Sequence, residues 1–126
     1  MKLELDAVSL FVRDKATAKE FYARAFGIES IWEDDVSVVF RLDNTMINLL
    51  EVGAAGAVVD PKQPGVPSSP VALFTLMVED VDAACAELAG RRVALLNGPV
   101  DRPWGRRTAA FADPDGHTWE LAAPLA

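Results

Sequence analysis

Cysteine and histidine are almost absent from this chain of 126 residues, which contains one of each, Cys85 and His117. A single cysteine excludes an internal disulfide and any cluster of thiolate metal ligands. Because Cys85 stands among alanines of a predicted helix, we interpret it as a buried packing residue rather than a nucleophile. No apolar run approaches the roughly 20 residues of a membrane span, and no secretion signal is recognisable. A cytoplasmic location is therefore the default expectation.

Basic residues are also in the minority, since 12 Lys and Arg stand against 19 Asp and Glu, which gives a net charge of -7. Nucleic-acid phosphates and anionic membranes would repel such a chain, so we expect neither as a partner. The content of 51% hydrophobic and 25% charged residues is typical of a globular protein, and the length predicts one domain over residues 1–126. A small neutral or cationic ligand suits this charge better.

The two halves of the chain repeat one pattern. Residues 9–14, SLFVRD, match residues 75–80, TLMVED, at a spacing of 66, and each segment alternates like a strand and ends in aspartate. Apolar residues at helical spacing follow both segments, and glycines (Gly27 and Gly90) end both helices. We interpret Asp14 and Asp80 as caps of these helices rather than catalytic groups, because a carboxylate there accepts hydrogen bonds from first-turn amides.

Three strand-like stretches follow each helix, so the order βαβββ occurs twice. We predict a first module over residues 1–52 and a second over 71–126. Residues 53–70 hold four of the eight prolines and are predicted to form a linker without regular structure. The predicted strands after the helices cover 30–32, 36–42 and 45–51 in the first module, and 93–96, 108–112 and 118–122 in the second.

This pattern resembles the glyoxalase, bleomycin-resistance and extradiol-dioxygenase superfamily, also called vicinal oxygen chelate proteins, over nearly the whole chain. The resemblance rests on the repeat, on VxD before each helix, and on FxDPDGxxxEL from Phe111 to Leu121. It implies an α+β fold of two βαβββ modules whose curved sheets enclose a cleft. It also implies a homodimer, since a partner subunit commonly completes the cleft.

In metal-using members of the superfamily, ligands come from the first and last strands of each module. The matching positions here are Ala7, Asn48, Leu73 and Glu120, of which only Glu120 keeps a carboxylate. A transition metal needs three or four nitrogen, thiolate or carboxylate donors within about 2.0 to 2.3 Å. We therefore predict no catalytic metal, and the sequence implies no other cofactor.

The lone histidine has carboxylates on both sides, in the segment DPDGHTWE. Strand alternation places Glu120 with Thr118 and opposite His117, and Asp-Pro-Asp-Gly is typical of a tight turn. We interpret Asp113, Asp115 and His117 as turn residues. Metal binding by His117 and a hard-cation site at the two aspartates are the alternatives.

Strand alternation also predicts which residues line the cleft. This face is mostly apolar with a few polar groups, which is the composition of a pocket for a small organic molecule; the alternative is that its side chains pack on one another. Its predicted members are Ala7, Ser9, Phe11, Val36, Val38, Phe40, Asn48, Leu50, Leu73, Thr75, Met77, Thr118 and Glu120.

Two further segments, IWEDDVSVVFRLD and DRPWGRR, are similar to bleomycin-resistance proteins, which sequester a flat cationic drug. The resemblance implies that Trp104 stacks on a ligand and that the acidic triplet, residues 33–35, attracts a basic one; a dimer contact and a solvated edge are the alternatives. Arg106 and Arg107 would orient a carboxylate or pair with the acidic triplet. Val36 departs from the pattern, because those proteins carry an aromatic ring there.

We therefore predict metal-independent binding, with sequestration, of a small aromatic or amphipathic molecule, as in antibiotic-resistance proteins. The alternative is a lyase, isomerase or dioxygenase of the same superfamily with a displaced metal or with Glu120 as general base. A structural Glu120 would instead hydrogen-bond Asn48 or Thr118. The predicted ligand-binding residues are Phe11, Trp32, Val38, Phe40, Asn48, Leu73, Thr75, Trp104 and Glu120.

Overall fold

The computed structural model describes all 126 residues and divides the chain into two compact units, Met1–Val66 and Pro67–Ala126. Each unit contains one βαβββ module, so the predicted α+β fold is confirmed. The boundary falls inside the predicted linker. No helix has both the length and the apolar character that crossing a membrane requires.

The first unit contains β1 (Ala7–Val12), α1 (Lys15–Phe26), β2 (Trp32–Glu33), β3 (Ser37–Arg41), β4 (Met46–Glu51), a short 3₁₀ helix (Val52–Ala54) and α2 (Gly56–Val59).

The first unit is a four-stranded sheet with one face against α1. Its strand order is β1-β4-β3-β2; β1 runs parallel to β4, and the other neighbours are antiparallel. Alternate residues of the strands, including Leu10, Ile47 and Phe40, are buried on the side of α1. Tyr22 of α1 is fully buried there, with its ring 6.3 Å from that of Phe40 between centroids. This face is the core of the unit.

The second unit repeats the arrangement with β5 (Leu73–Met77), α3 (Val81–Gly90), β6 (Asn97–Arg102), β7 (Arg106–Ala112) and β8 (Thr118–Pro124). The strand order is β5-β8-β7-β6. Trp119, Phe111 and Leu121 are buried on the face toward α3. Cys85 of α3 is also buried, and burial raises the pKa of its thiol, which agrees with a packing role.

Both helices begin at the predicted aspartates. The Asp14 carboxylate accepts a hydrogen bond from the Thr17 amide at 3.1 Å, and that of Asp80 accepts one from the Ala83 amide at 3.0 Å. α1 ends at Gly27, whose φ of 65° is left-handed. The interpretation of the two aspartates as helix caps is therefore confirmed.

The segment that follows α3 differs from the prediction. Residues 93–96 form no strand, and β6 instead begins at Asn97. Val93 is apolar because it is buried at the end of α3, where its amide donates to the Leu88 carbonyl at 2.9 Å. The predicted linker also differs, since it contains the short 3₁₀ helix and α2.

Candidate functional site

Each sheet has a second face, opposite its helix, which we call the open face of that unit. Residues paired across neighbouring strands share a face, so the observed registers define both open faces. The open face of the first unit contains Ala7, Ser9, Phe11, Trp32, Ser37, Val39, Arg41, Met46, Asn48 and Leu50. The open face of the second unit contains Leu73, Thr75, Met77, Asn97, Val100, Arg102, Arg106, Thr108, Ala110, Ala112, Thr118, Glu120, Ala122 and Pro124.

The predicted placement of Val38 and Phe40 on the open face is wrong. Val38 pairs with Leu49 and Phe40 with Ile47, and both side chains are fully buried toward α1. The reason is the turn before β3, where the Asp34 carboxylate accepts hydrogen bonds from the amides of Val36 and Ser37. Val36 therefore precedes the strand, and the open-face residues of β3 that the sequence interpretation missed are Ser37, Val39 and Arg41.

The other predicted strand residues lie on the open faces. Phe11, Trp32 and Asn48 belong to the first unit, and 54% of Trp32 is exposed. Leu73, Thr75 and Glu120 belong to the second unit, and 52% of Leu73 is exposed. Their placement on these faces is as predicted, while their binding role stays a prediction.

A hydroxyl group pairs with the polar residue of the last strand in each unit. In the first unit, Asn48 Nδ2 donates to Ser9 Oγ at 3.2 Å, while the buried Oδ1 of Asn48 has no hydrogen-bond partner. In the second unit, Thr75 Oγ1 donates to Glu120 Oε1 at 3.0 Å. Glu120 therefore pairs with Thr75, and not with Asn48 or Thr118 as the structural alternative proposed.

Small side chains surround Glu120 on its open face. Ala110 lies opposite Glu120 on β7, and Thr118 and Ala122 flank it along β8. Because these neighbours are short, the face provides a floor of small residues around a half-buried carboxylate. Such a floor suits the approach of a flat molecule.

Trp104 lies in the turn between β6 and β7, with 65% of its surface exposed. The guanidinium of Arg102 is 5.8 Å from the centre of its indole ring, a distance at which cation and ring attract. Arg102 is held in turn, because its Nε donates to Thr108 Oγ1 at 3.0 Å and its Nη2 to Asn97 Oδ1 at 3.3 Å. The sequence interpretation missed Arg102, whose partners lie on two strands.

Two residues of the acidic triplet interact with other groups of the first unit. Glu33 pairs with Lys15 and Lys19 of α1, and the hydrogen bond from Lys19 lowers the pKa of Glu33. Asp34 closes the turn before β3, where the hydrogen bond from the Val36 amide lowers its pKa. Two of the three carboxylates are thus committed to local partners, which weakens the predicted attraction for a cationic ligand.

Arg107 does not pair with the acidic triplet either. Its Nε and Nη2 donate to the two carboxylate oxygens of Asp82 on α3, both at 3.0 Å, and its Nη1 donates to Asp101 at 2.8 Å. Arg107 therefore ties α3 to the sheet. Arg106, which faces the other side of β7, is exposed.

The DPDG segment forms the predicted turn. Asp113 Oδ1 accepts hydrogen bonds from the amides of Asp115 at 2.9 Å and His117 at 2.8 Å, and Gly116 has a φ of 94°. This geometry agrees with the interpretation of these residues as a turn into β8. No group of three or more His, Cys, Asp and Glu side chains comes together to hold a metal ion. Because Ala7 and Leu73 offer no donor atoms, the residues at the ligand positions of metal-using relatives do not fit a metal.

Comparisons with known proteins agree with this architecture. The model of the glyoxalase/bleomycin resistance protein/dioxygenase superfamily matches residues 4–121. A glyoxalase/bleomycin resistance protein/dioxygenase from Nocardioides has the same fold, with a TM-score of 0.88 at 20% identity over 99% of this chain and 85% of that chain. Lactoylglutathione lyase from Agrobacterium tumefaciens has a TM-score of 0.78 at 19% identity over 98% of this chain and 95% of that chain.

A third similar structure is TnmS3, an antibiotic binding protein from a Streptomyces species. It is 30% identical to this chain, with a TM-score of 0.72, and the match covers 98% of this chain and 97% of that chain. At this identity and coverage the similarity concerns the whole sequence as well as the fold. The match therefore includes both open faces.

Proposed function

Because the chain belongs to the glyoxalase/bleomycin resistance protein/dioxygenase superfamily, we propose that it binds and sequesters a small aromatic or amphipathic molecule without a catalytic metal. The similarity to an antibiotic binding protein supports this class of ligand. The donor set supports metal independence, since the framework of the family is kept while Ala7 and Leu73 stand at two ligand positions. An antibiotic-resistance role would follow from sequestration.

The observation that carries the proposal is the composition of the open faces. They combine large apolar side chains that are about half exposed, such as Trp32 at 54% and Met77 at 54%, with single polar groups at Asn48 and Glu120. Covering apolar surface contributes about 25 cal/mol per Å², and sparse polar groups orient the ligand. A binding face needs this combination.

The charges of the first unit favour a neutral ligand over a cationic one, whereas the second unit also presents the Glu120 carboxylate. Glu33 is neutralised by two lysines and Asp34 by turn amides, so neither offers a free negative charge. Arg102 and Arg41 place positive charge at the two open faces. A flat cationic drug would meet these guanidinium groups.

Tryptophan fluorescence tests this proposal, because only two of the three tryptophans are exposed. Trp119 is 1% exposed and faces α3, so a ligand on an open face quenches Trp32 or Trp104. We expect neutral aromatic compounds to quench the wild type saturably, and W32F or W104F to lose most of the change. W119F is the matched control and should keep it. Absence of saturable quenching by neutral, cationic and anionic aromatic compounds would contradict sequestration.

Catalysis with Glu120 as general base is the second candidate function. Thr75 engages only one oxygen of the half-buried Glu120 carboxylate, and Glu120 lies on the open face. Mass spectrometry of a bound compound before and after incubation separates the two functions. A binder returns the compound unchanged, whereas an enzyme converts it and E120Q does not. Stoichiometric nickel, zinc, iron or manganese in protein purified without added ions would overturn metal independence.

A homodimer is the further part of the proposal. Several large apolar side chains outside the cores are exposed, among them Ile31 at 49% and Leu96 at 59%. Side chains of this kind mark an interface where they form a contiguous patch. The family resemblance adds the expectation that a second copy of the chain supplies that partner.

A further inference from the structure

Asn48 carries a buried hydrogen-bond acceptor that the first unit leaves without a partner. Its Nδ2 donates to Ser9, but its Oδ1 receives no hydrogen bond. An unpaired buried carbonyl lowers stability, and native proteins keep few of them. An aliphatic residue at this position would remove that penalty, so the amide needs another explanation.

None of the neighbours of Asn48 supplies the missing donor. Ser9 lies beside it on β1 and Val39 on β3, while Met46 and Leu50 flank it along β4 on the same face. Among these side chains only Ser9 has an O–H group, and its Oγ accepts from Nδ2 and makes no hydrogen bond to Oδ1. No side chain of the sheet donates to Oδ1, which leaves this acceptor for a group from outside the sheet.

We propose that Asn48 Oδ1 accepts a hydrogen bond from the bound ligand and so selects neutral aromatic molecules that carry an N–H or O–H group. This inference rests on the proposed function and names the ligand class. A site with a buried acceptor rejects an analogue that lacks the donor, because the acceptor then stays unpaired in the complex. Phe11 and Trp32 on the same open face provide aromatic contact, and Arg41 disfavours a cationic donor.

Two pairs of probes test the requirement for a donor. Indole and 1-methylindole differ by one N–H group, and 2-naphthol and 2-methoxynaphthalene differ by one O–H group. Titration calorimetry should give the wild type about tenfold tighter binding of the donor in each pair. Equal affinities within both pairs would overturn this inference and leave the proposed function standing. No binding of any of the four compounds would overturn both.

Variants of Asn48 separate its role from a structural one. N48L should bring the affinity ratio within each pair to about one, and it should unfold at a higher temperature because the unpaired acceptor is gone. N48D should keep the preference, since a carboxylate has only acceptor oxygens. N44L makes the same change in the exposed turn between β3 and β4 and should leave the ratio unaltered. A preference that survives in N48L would overturn the inference.

Discussion

Among single residues, Gly98 marks a close approach of β6 to β7. A Cβ atom at this position would lie 2.4 Å from the Thr108 carbonyl oxygen and 2.7 Å from the Ala109 Cα. The φ of Gly98 is also +86°, a conformation that residues with a side chain rarely adopt. Both backbone strain and a clash with backbone atoms therefore oppose any other residue here.

We expect G98A to lower the free energy of unfolding by roughly 3 kcal/mol, measured by urea denaturation. Gly105 is a matched control, because its φ of +88° is similar but no atom lies within 4 Å of the place that a Cβ would occupy. G105A should cost only about 1 kcal/mol, the penalty for the conformation alone. Equal losses in the two variants would contradict the close approach of β6 and β7.

The polar residues of the two open faces differ in their hydrogen-bond partners. Glu120 has its partner Thr75 within the second unit, whereas Asn48 keeps one buried atom unpaired in the first. The repeat therefore does not make the two faces equivalent. The first face offers an acceptor from a neutral amide, and the second offers a carboxylate.

At the scale of elements, the contact between α3 and β7 depends on charge. Arg107 donates two hydrogen bonds to Asp82, and this interaction lowers the pKa of Asp82 below its ordinary value of 3.8. A carboxylate whose pKa is lower in the folded state stabilises the fold above its unfolded pKa. That contribution is lost as the pH falls through the lower, folded pKa.

The expected result is a pH-dependent effect of D82N. Its unfolding temperature should lie below that of the wild type at neutral pH, and the two should converge as the pH falls from 3.8 through the lower pKa of folded Asp82, where the wild-type carboxylate becomes protonated. Thermal unfolding followed by circular dichroism over this range measures the difference. D35N removes an exposed carboxylate outside this contact and is the control. A difference between D82N and the wild type that stays constant with pH would argue against the ionic contribution.

The formation of β6 also depends on a neighbouring element, the strand β7. Its sequence, NGPVDR, contains a glycine and a proline, which disfavour an internal strand. β6 is at the edge of its sheet and pairs only with β7, and its register shifts between Asn97 and Val100. An edge position tolerates proline because one side of the strand needs no amide donors.

At the scale of the whole molecule, the proposed homodimer predicts the mass in solution. Light scattering after size-exclusion chromatography should give about twice the 13.6 kDa of one chain. The excess of acidic residues, 19 against 12 basic ones, opposes association at long range, so added salt should strengthen the dimer rather than weaken it. A monomer at all protein concentrations and salt concentrations would contradict the proposed homodimer.

The amino-acid sequence alone predicts the repeated βαβββ order, the two capping aspartates, the DPDG turn and the superfamily. These features depend on groups within a few residues of each other, such as Asp14 with Thr17 and Asp113 with His117, so their hydrogen bonds can be predicted locally.

Three-dimensional packing establishes which residues of β3 face away from α1, where β6 lies, and that Arg102 contacts Trp104. A shift of one residue reverses the two faces of a strand, and the register of β3 depends on its pairing with β4 as well as on the turn at Asp34. The unpaired oxygen of Asn48 likewise cannot be predicted from the sequence. It results from side chains on three strands, and partners distant in sequence are brought together only by folding.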